Sequence, residues 1–248
     1  MLPGMIPVAL ISALLGAFIA RSIVAESDAH RIQGPDKWIS PGCPTCGSSL
    51  GIALISCREH RHRQRISNAL AFGACIVLSG AVPFVLDSLW LVPAFLVFIW
   101  TMILLTITDL DTKLIPNRIL GPATAIGLAL LVAGHFVQGS GGDLVDAVVG
   151  GAAYFSALLV LALLVRGGLG FGDVKLAFLI GVFTGYLSLG HVLVTGIGAF
   201  LIGGLVAAFL LITRKSGRKD AIPFGPFMTT AAIITVFFGQ AIIDWYLR

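Results

Sequence analysis

Between Val174 and Thr213 the chain carries one basic side chain, Lys175, one histidine, His191, and no acidic residue. The run is roughly twice the length that crosses a bilayer core, so it must double back near Tyr186–His191 as a hairpin of two spans. Similar apolar runs recur along the chain. They are Leu2–Val24, Ile66–Leu86, Leu89–Thr108, Ile119–Val137, Leu144–Val165, Val174–Leu189, Val192–Thr213 and Phe227–Tyr246, the sixth being short. Only 11% of the residues are charged and 57% are hydrophobic, against about 25% charged in soluble domains. The expectation is an all-α polytopic membrane protein with about eight transmembrane helices. Glycines inside the spans, such as Gly150-Gly151, Gly181 with Gly185, and Gly196 with Gly198, suit close helix packing.

Placing the N-terminus outside puts residues 25–65, 109–118, 166–173 and 214–226 on the inner face. Together with the adjoining Arg21 and Lys175, these segments hold all of the sixteen Lys and Arg residues except Arg248. That asymmetry is the positive-inside pattern. The net charge of +4 therefore records topology and does not point to nucleic acid. Leu2–Val24 has no basic region before it and is long enough to span, so it reads as a retained helix rather than a cleaved signal. The chain divides into that helix (1–24), a cytosolic cysteine-containing basic loop (25–65) and a membrane core of seven helices (66–248).

Two acidic stretches lie at the edges of apolar runs on the inner face: Asp109-Leu110-Asp111 through Pro116-Asn117, and Gly170-Phe171-Gly172-Asp173 followed by Lys175. Carboxylates beside hydrocarbon are costly and mark functional candidates. Two that share a proton can activate water and protonate a leaving group, and two close charges cannot both ionise cheaply. Asp109 and Asp173 are the expected pair. Asp111, two residues on, would face away from Asp109 in a helix. Gly172 allows a close backbone approach or positive φ, and Gly170 with Gly167-Gly168 would keep the approach to Asp173 flexible. Pro116 favours an extended residue before it and a new helix after it.

Taken together, Asp109 with Ile115-Pro116-Asn117, then Gly170-x-Gly172-Asp173-x-Lys175-Leu176, then Ile222-Pro223-Phe224-Gly225-Pro226-Phe227 resembles the type IV prepilin peptidase family. These are membrane aspartyl proteases of the Gly-x-Gly-Asp kind. The resemblance covers roughly residues 70–248. It implies that Asp109 and Asp173 are the catalytic pair. It also implies a reaction: removal of the basic leader from prepilins or pilin-like secretion proteins (pseudopilins) at the cytosolic side of the inner or plasma membrane. The cut would follow a glycine at the edge of the substrate's hydrophobic helix, and water attack by an aspartyl pair needs no cofactor.

Between the first two spans lie Cys43-Pro44-Thr45-Cys46 and Cys57-Arg58-Glu59-His60. Cys43, Cys46, Cys57 and His60, with His62 an alternative fourth ligand, could complete a tetrahedral structural zinc site. Many bifunctional members of the family carry two Cys-x2-Cys pairs here, in a larger domain associated with methylating the new pilin N-terminus. This loop has one pair and is short, so S-adenosylmethionine is expected only if methylation is retained. The remaining Cys75 lies in an apolar run as a packing residue. Two other readings compete: an ion- or proton-coupled transporter using the same aspartates, and a non-catalytic scaffold with a zinc loop.

Overall fold

Backbone groups in hydrocarbon must be satisfied within the chain, so apolar runs of this length become helices. The computed structural model describes residues 2–33, 66–138, 143–165, 170–213 and 223–248. Its elements are α1 (Leu2–Gln33), α2 (Ile66–Val85), α3 (Val92–Thr112), α4 (Asn117–Gln138), α5 (Leu144–Leu164), α6 (Phe171–Leu187), α7 (Leu189–Ile212) and α8 (Gly225–Tyr246), with a short 3-10 turn at Leu89–Leu91 before α3. Each expected span corresponds to one helix, and the described residues contain no strand. Five helices, α3, α4, α5, α7 and α8, are long and apolar enough to cross a membrane on their own, and α1 and α2 contain the shorter apolar segments Met5–Ala20 and Leu70–Val85.

Two boundaries differ from the hydropathy reading. α1 runs nine residues beyond Val24, to Gln33, because loss of apolar character does not stop a helix where no breaker intervenes. α3 runs past Asp109 to Thr112 and ends where Lys113 adopts the left-handed conformation (φ 55°, ψ 31°), its N–H donating to the Asp109 carbonyl at 2.8 Å. Asp109 therefore lies in the last turn of α3. The expected hairpin closes tightly: Ser188 ends α6 and also caps α7, its hydroxyl accepting from the His191 N–H.

α3 is the central helix, packed by α1, α2, α4 and α8, and α6 is buried along nearly its whole length. The two meet through aromatic rings. Phe183 stacks on Phe98 at 4.5 Å between centroids and meets Phe95 edge-on at 5.4 Å. α5 and α6 instead pack backbone to backbone: a Cβ on Gly181 would lie 2.5 Å from the Gly150 carbonyl oxygen, and one on Gly185 would lie 2.6 Å from the Asp146 carbonyl oxygen. Gly196 and Gly198 have only ordinary contacts, so the expectation of close packing holds for the α5–α6 glycines and not for that pair. Cys75 is fully buried. Outward-facing Leu201, Leu205 and Phe209 on α7 are exposed, as lipid-facing positions would be.

Candidate active site

The C-terminal end of α3 and the N-terminal ends of α4, α6 and α8 converge, and the two aspartates sit at that junction. Asp109 is 4% exposed and Asp173 8%. Asp109 feels the charge of the Asp173 carboxyl.

Asp173 is held by its own loop. Gly170 caps α6, its N–H donating to Asp173 Oδ2 at 3.2 Å, while the Asp173 N–H donates to the Gly170 carbonyl at 3.0 Å. This reciprocal pair satisfies helix-start donors as a capping box does. Gly170 has φ −74° and ψ 144°, a conformation open to any residue. A Cβ there would lie 3.3 Å from Asp173 Oδ2, a slightly tight approach. Gly172 is helical, so the sequence expectation of a positive φ does not apply. A Cβ on it would lie 3.0 Å from the Ile115 Cβ, so the missing side chain admits Ile115. Gly167 and Gly168 lie outside the described residues.

Asp109 is held from across the fold. The backbone N–H of Gly225, the first residue of α8, lies beside its carboxyl, yet Oδ2 has no hydrogen-bond partner. A Cβ on Gly225 would fall 2.5 Å from Oδ2 and 3.4 Å from Ile115 Cδ1. One turn deeper, the Thr106 and Thr229 hydroxyls bond at 2.6 Å, joining α3 to α8. Pro116 starts α4, its carbonyl accepting from the Ile119 and Leu120 N–H groups at 3.1 Å each. Lys175 ties α6 to α4: Nζ donates to Asn117 Oδ1 at 3.0 Å and lies 5.0 Å from the centre of the Phe171 ring. α3 is helical through Thr112, the condition under which position 111 leaves the face occupied by position 109.

The residues that sequence reasoning left without a task are Gly225, Ile115, Asn117 and the Thr106–Thr229 pair. The one available signal was Gly225-Pro226, since a proline in the first turn marks a helix start, which places the Gly225 N–H among the groups no helical carbonyl can take. The cysteine loop, with Cys43, Cys46, Cys57, His60 and His62, lies outside the described residues. Among those that are described, no group of three or more His, Cys, Asp or Glu side chains is gathered to hold a metal.

Residues 96–212 match the type IV leader peptidase family. The chain is 32% identical over 219 residues to the prepilin leader peptidase/N-methyltransferase of Bacillus subtilis (strain 168), covering 83% of this chain and 84% of that protein. It is 33% identical over 176 residues to the protein of the same name from Aeromonas hydrophila, covering 69% and 58% respectively. With the Pseudomonas aeruginosa counterpart it shares 29% over 222 residues, 83% and 74%. The chain thus spans less than two thirds of the length of the Aeromonas relatives. No solved structure matches.

Proposed function

The chain belongs to the type IV leader peptidase family, and from that premise we propose that it is a membrane aspartyl endopeptidase that removes the basic leader of prepilins or pseudopilins, with Asp109 and Asp173 as its paired carboxylates. The observation that carries the residue assignment is the meeting of two buried carboxyls, one with an oxygen that no described group bonds. A structural carboxylate buried this way is normally paired. Two buried carboxyls of which one acts electrostatically on the other are suited to sharing one proton.

In the proposed reaction a water lies between the carboxyls. The ionised carboxyl takes the water's proton as its oxygen attacks the scissile carbonyl, and the protonated one donates to the carbonyl oxygen. The proton taken from water then passes to the leaving nitrogen as the C–N bond breaks, and the carboxylate that gave its proton to the carbonyl oxygen takes one back from the collapsing diol, which restores the resting pair. Gly170 and Gly225 each present a backbone N–H to one carboxyl. Their chain positions, at the starts of two helices, hold those donors fixed without adding a side chain that would fill the space for water.

The positive-inside pattern puts this junction on the cytosolic side of the inner or plasma membrane with the N-terminus outside. Lys113, Arg118 and Lys175 all belong to helix ends at the junction. α6 has 17 residues, about 26 Å at 1.5 Å each, against a hydrocarbon core of ~30 Å. If its far end reaches the outer interface, Asp173 lies slightly below the inner surface, where the boundary between a polar leader and an apolar helix would come to rest. The named relatives are also called N-methyltransferases, a step that would draw on S-adenosylmethionine; cleavage alone needs no cofactor. The transporter reading has no comparable support, because transport sites typically lie near the midplane and both carboxyls here share one end of the bundle.

The test is cleavage of a prepilin in membranes by the wild type and by Asp109→Asn and Asp173→Asn at matched protein levels. Each variant is expected to lose activity by at least about a thousandfold, as triad-type catalysts do. Full cleavage by either one would remove the assignment.

A further inference from the structure

Among the described residues, two buried polar side-chain atoms have no hydrogen-bond partner: Asp109 Oδ2 and the Tyr154 hydroxyl. The first follows from the proposed chemistry. The second lies midway along α5, ten residues from either end of the helix, on a side chain that is 5% exposed. The ring stands against α7, where a Cβ on Gly196 would meet its Cε2 at 3.7 Å. The hydroxyl is within electrostatic reach of the Asp173 carboxyl without being bonded to it.

Buried hydroxyls elsewhere in the bundle are satisfied. Thr184 donates to the Ile180 carbonyl, Thr195 to that of His191, and the comparably buried Tyr186 bonds His135 Nδ1 at 3.1 Å. A buried phenol without a protein partner is costly, and phenylalanine would fill the same volume without that cost. An unmet donor that is buried and within electrostatic reach of the reaction centre points to a partner that arrives with the substrate.

We propose that Tyr154 is a substrate-binding residue, whose hydroxyl donates to a main-chain carbonyl of the apolar half of the peptide, beyond the scissile bond. This rests on the peptidase reading above. A bond can be cut only where the chain is locally extended, and extending one turn of an apolar helix frees carbonyls that hydrocarbon cannot satisfy. The aspartates stand at helix ends and Tyr154 at mid-helix, so the hydroxyl reaches the part of the substrate that enters the bilayer. A main-chain acceptor makes the contact independent of the substrate's side chains.

The experiment compares Tyr154→Phe with the wild type in detergent, using a synthetic prepilin-like peptide with a basic leader and an apolar helix. KM is expected to rise by about fivefold, in the range of one lost hydrogen bond, with kcat within about twofold and a melting temperature no lower than wild type. Binding of the same peptide to Asp109→Asn should weaken by the same factor when Tyr154→Phe is added, a readout independent of turnover. A fall in kcat with KM unchanged would mean that the hydroxyl acts on Asp173 through water, and would overturn the proposal. So would a lowered melting temperature with KM unchanged, which marks a structural hydroxyl, or no kinetic change at all. Failure of the wild type to cut the peptide would instead defeat the peptidase reading, and this inference with it.

Discussion

Gly225→Ala is the smallest change that should separate the reaction from the fold. The added Cβ would sit 2.5 Å from Asp109 Oδ2 and 3.1 Å from its Cγ, where ordinary contact begins at 3.4 Å. Either the carboxyl or the start of α8 must therefore give way by about 0.9 Å. Overpacking of this size costs roughly 1–3 kcal/mol, partly offset by the roughly 0.5–1 kcal/mol that Ala gains over Gly in a helix. The protein should still accumulate in membranes. A displacement near 1 Å at a reacting group costs about a hundredfold in rate, so prepilin cleavage per enzyme molecule should fall by about that factor. The assay follows the mobility shift of substrate in isolated membranes, normalised to enzyme by immunoblot. Gly204→Ala is the control, because a Cβ at that position of α7 meets nothing within 4 Å; it should cut at the wild-type rate. Gly225→Ala working within about threefold of wild type, at equal accumulation, would refute the close approach of α8 to Asp109 as a requirement.

Three further outcomes are expected. Gly181→Ala drives a Cβ to 2.5 Å from the Gly150 carbonyl oxygen; because backbone must move, it should cost on the order of 1–3 kcal/mol and lower the melting temperature in detergent, whereas Gly73→Ala, which meets nothing within 4 Å, should not. Thr229→Val keeps the volume but removes the hydroxyl that bonds Thr106, and should cost about 1 kcal/mol with a severalfold loss of kcat/KM; an unchanged melting temperature would show that the bond contributes nothing. If Cys43, Cys46, Cys57 and His60 hold zinc, metal analysis of the purified protein should find about one zinc per chain, lost in Cys43→Ser; metal-free protein with intact thiols would end that assignment.

The helices were legible because hydrocarbon leaves the backbone almost no alternative, so apolar length alone specifies them. Their ends were less so: Ala25–Gln33 carries no apolar signal, yet α1 continues through it. Asp109 and Asp173 stood out because charge at an apolar edge is rare. What their neighbours do was not legible, because it depends on tertiary contact. Gly172 allowed either a close backbone approach or a positive φ; in the fold it is helical, and what approaches closely is Ile115, a contact nothing local names. The Ile222–Phe227 motif read as positioning with no stated target, since nothing local links it to Asp109, more than a hundred residues earlier. Tyr154 sits in an apolar helix and became visible only when its hydroxyl proved unpartnered.

The two carboxyls are held in different ways, and this bears on what sets the distance between them. Asp173 takes its position from its own helix cap, through Gly170. Asp109 takes its position from α3 and from the start of α8, through Gly225 and the Thr106–Thr229 bond. Ile115 lies between these two holds, its Cβ against the space left by Gly172 and its Cδ1 against that left by Gly225. It is followed by Pro116, which restricts its backbone, and a β-branched side chain is stiff at χ1. The spacing of the aspartates thus depends on one rigid side chain received by two glycines. The Gly-x-Gly-Asp segment and the Gly-Pro start of α8 act as the two faces of a single gauge, with the Ile115-Pro116 loop as the spacer between them.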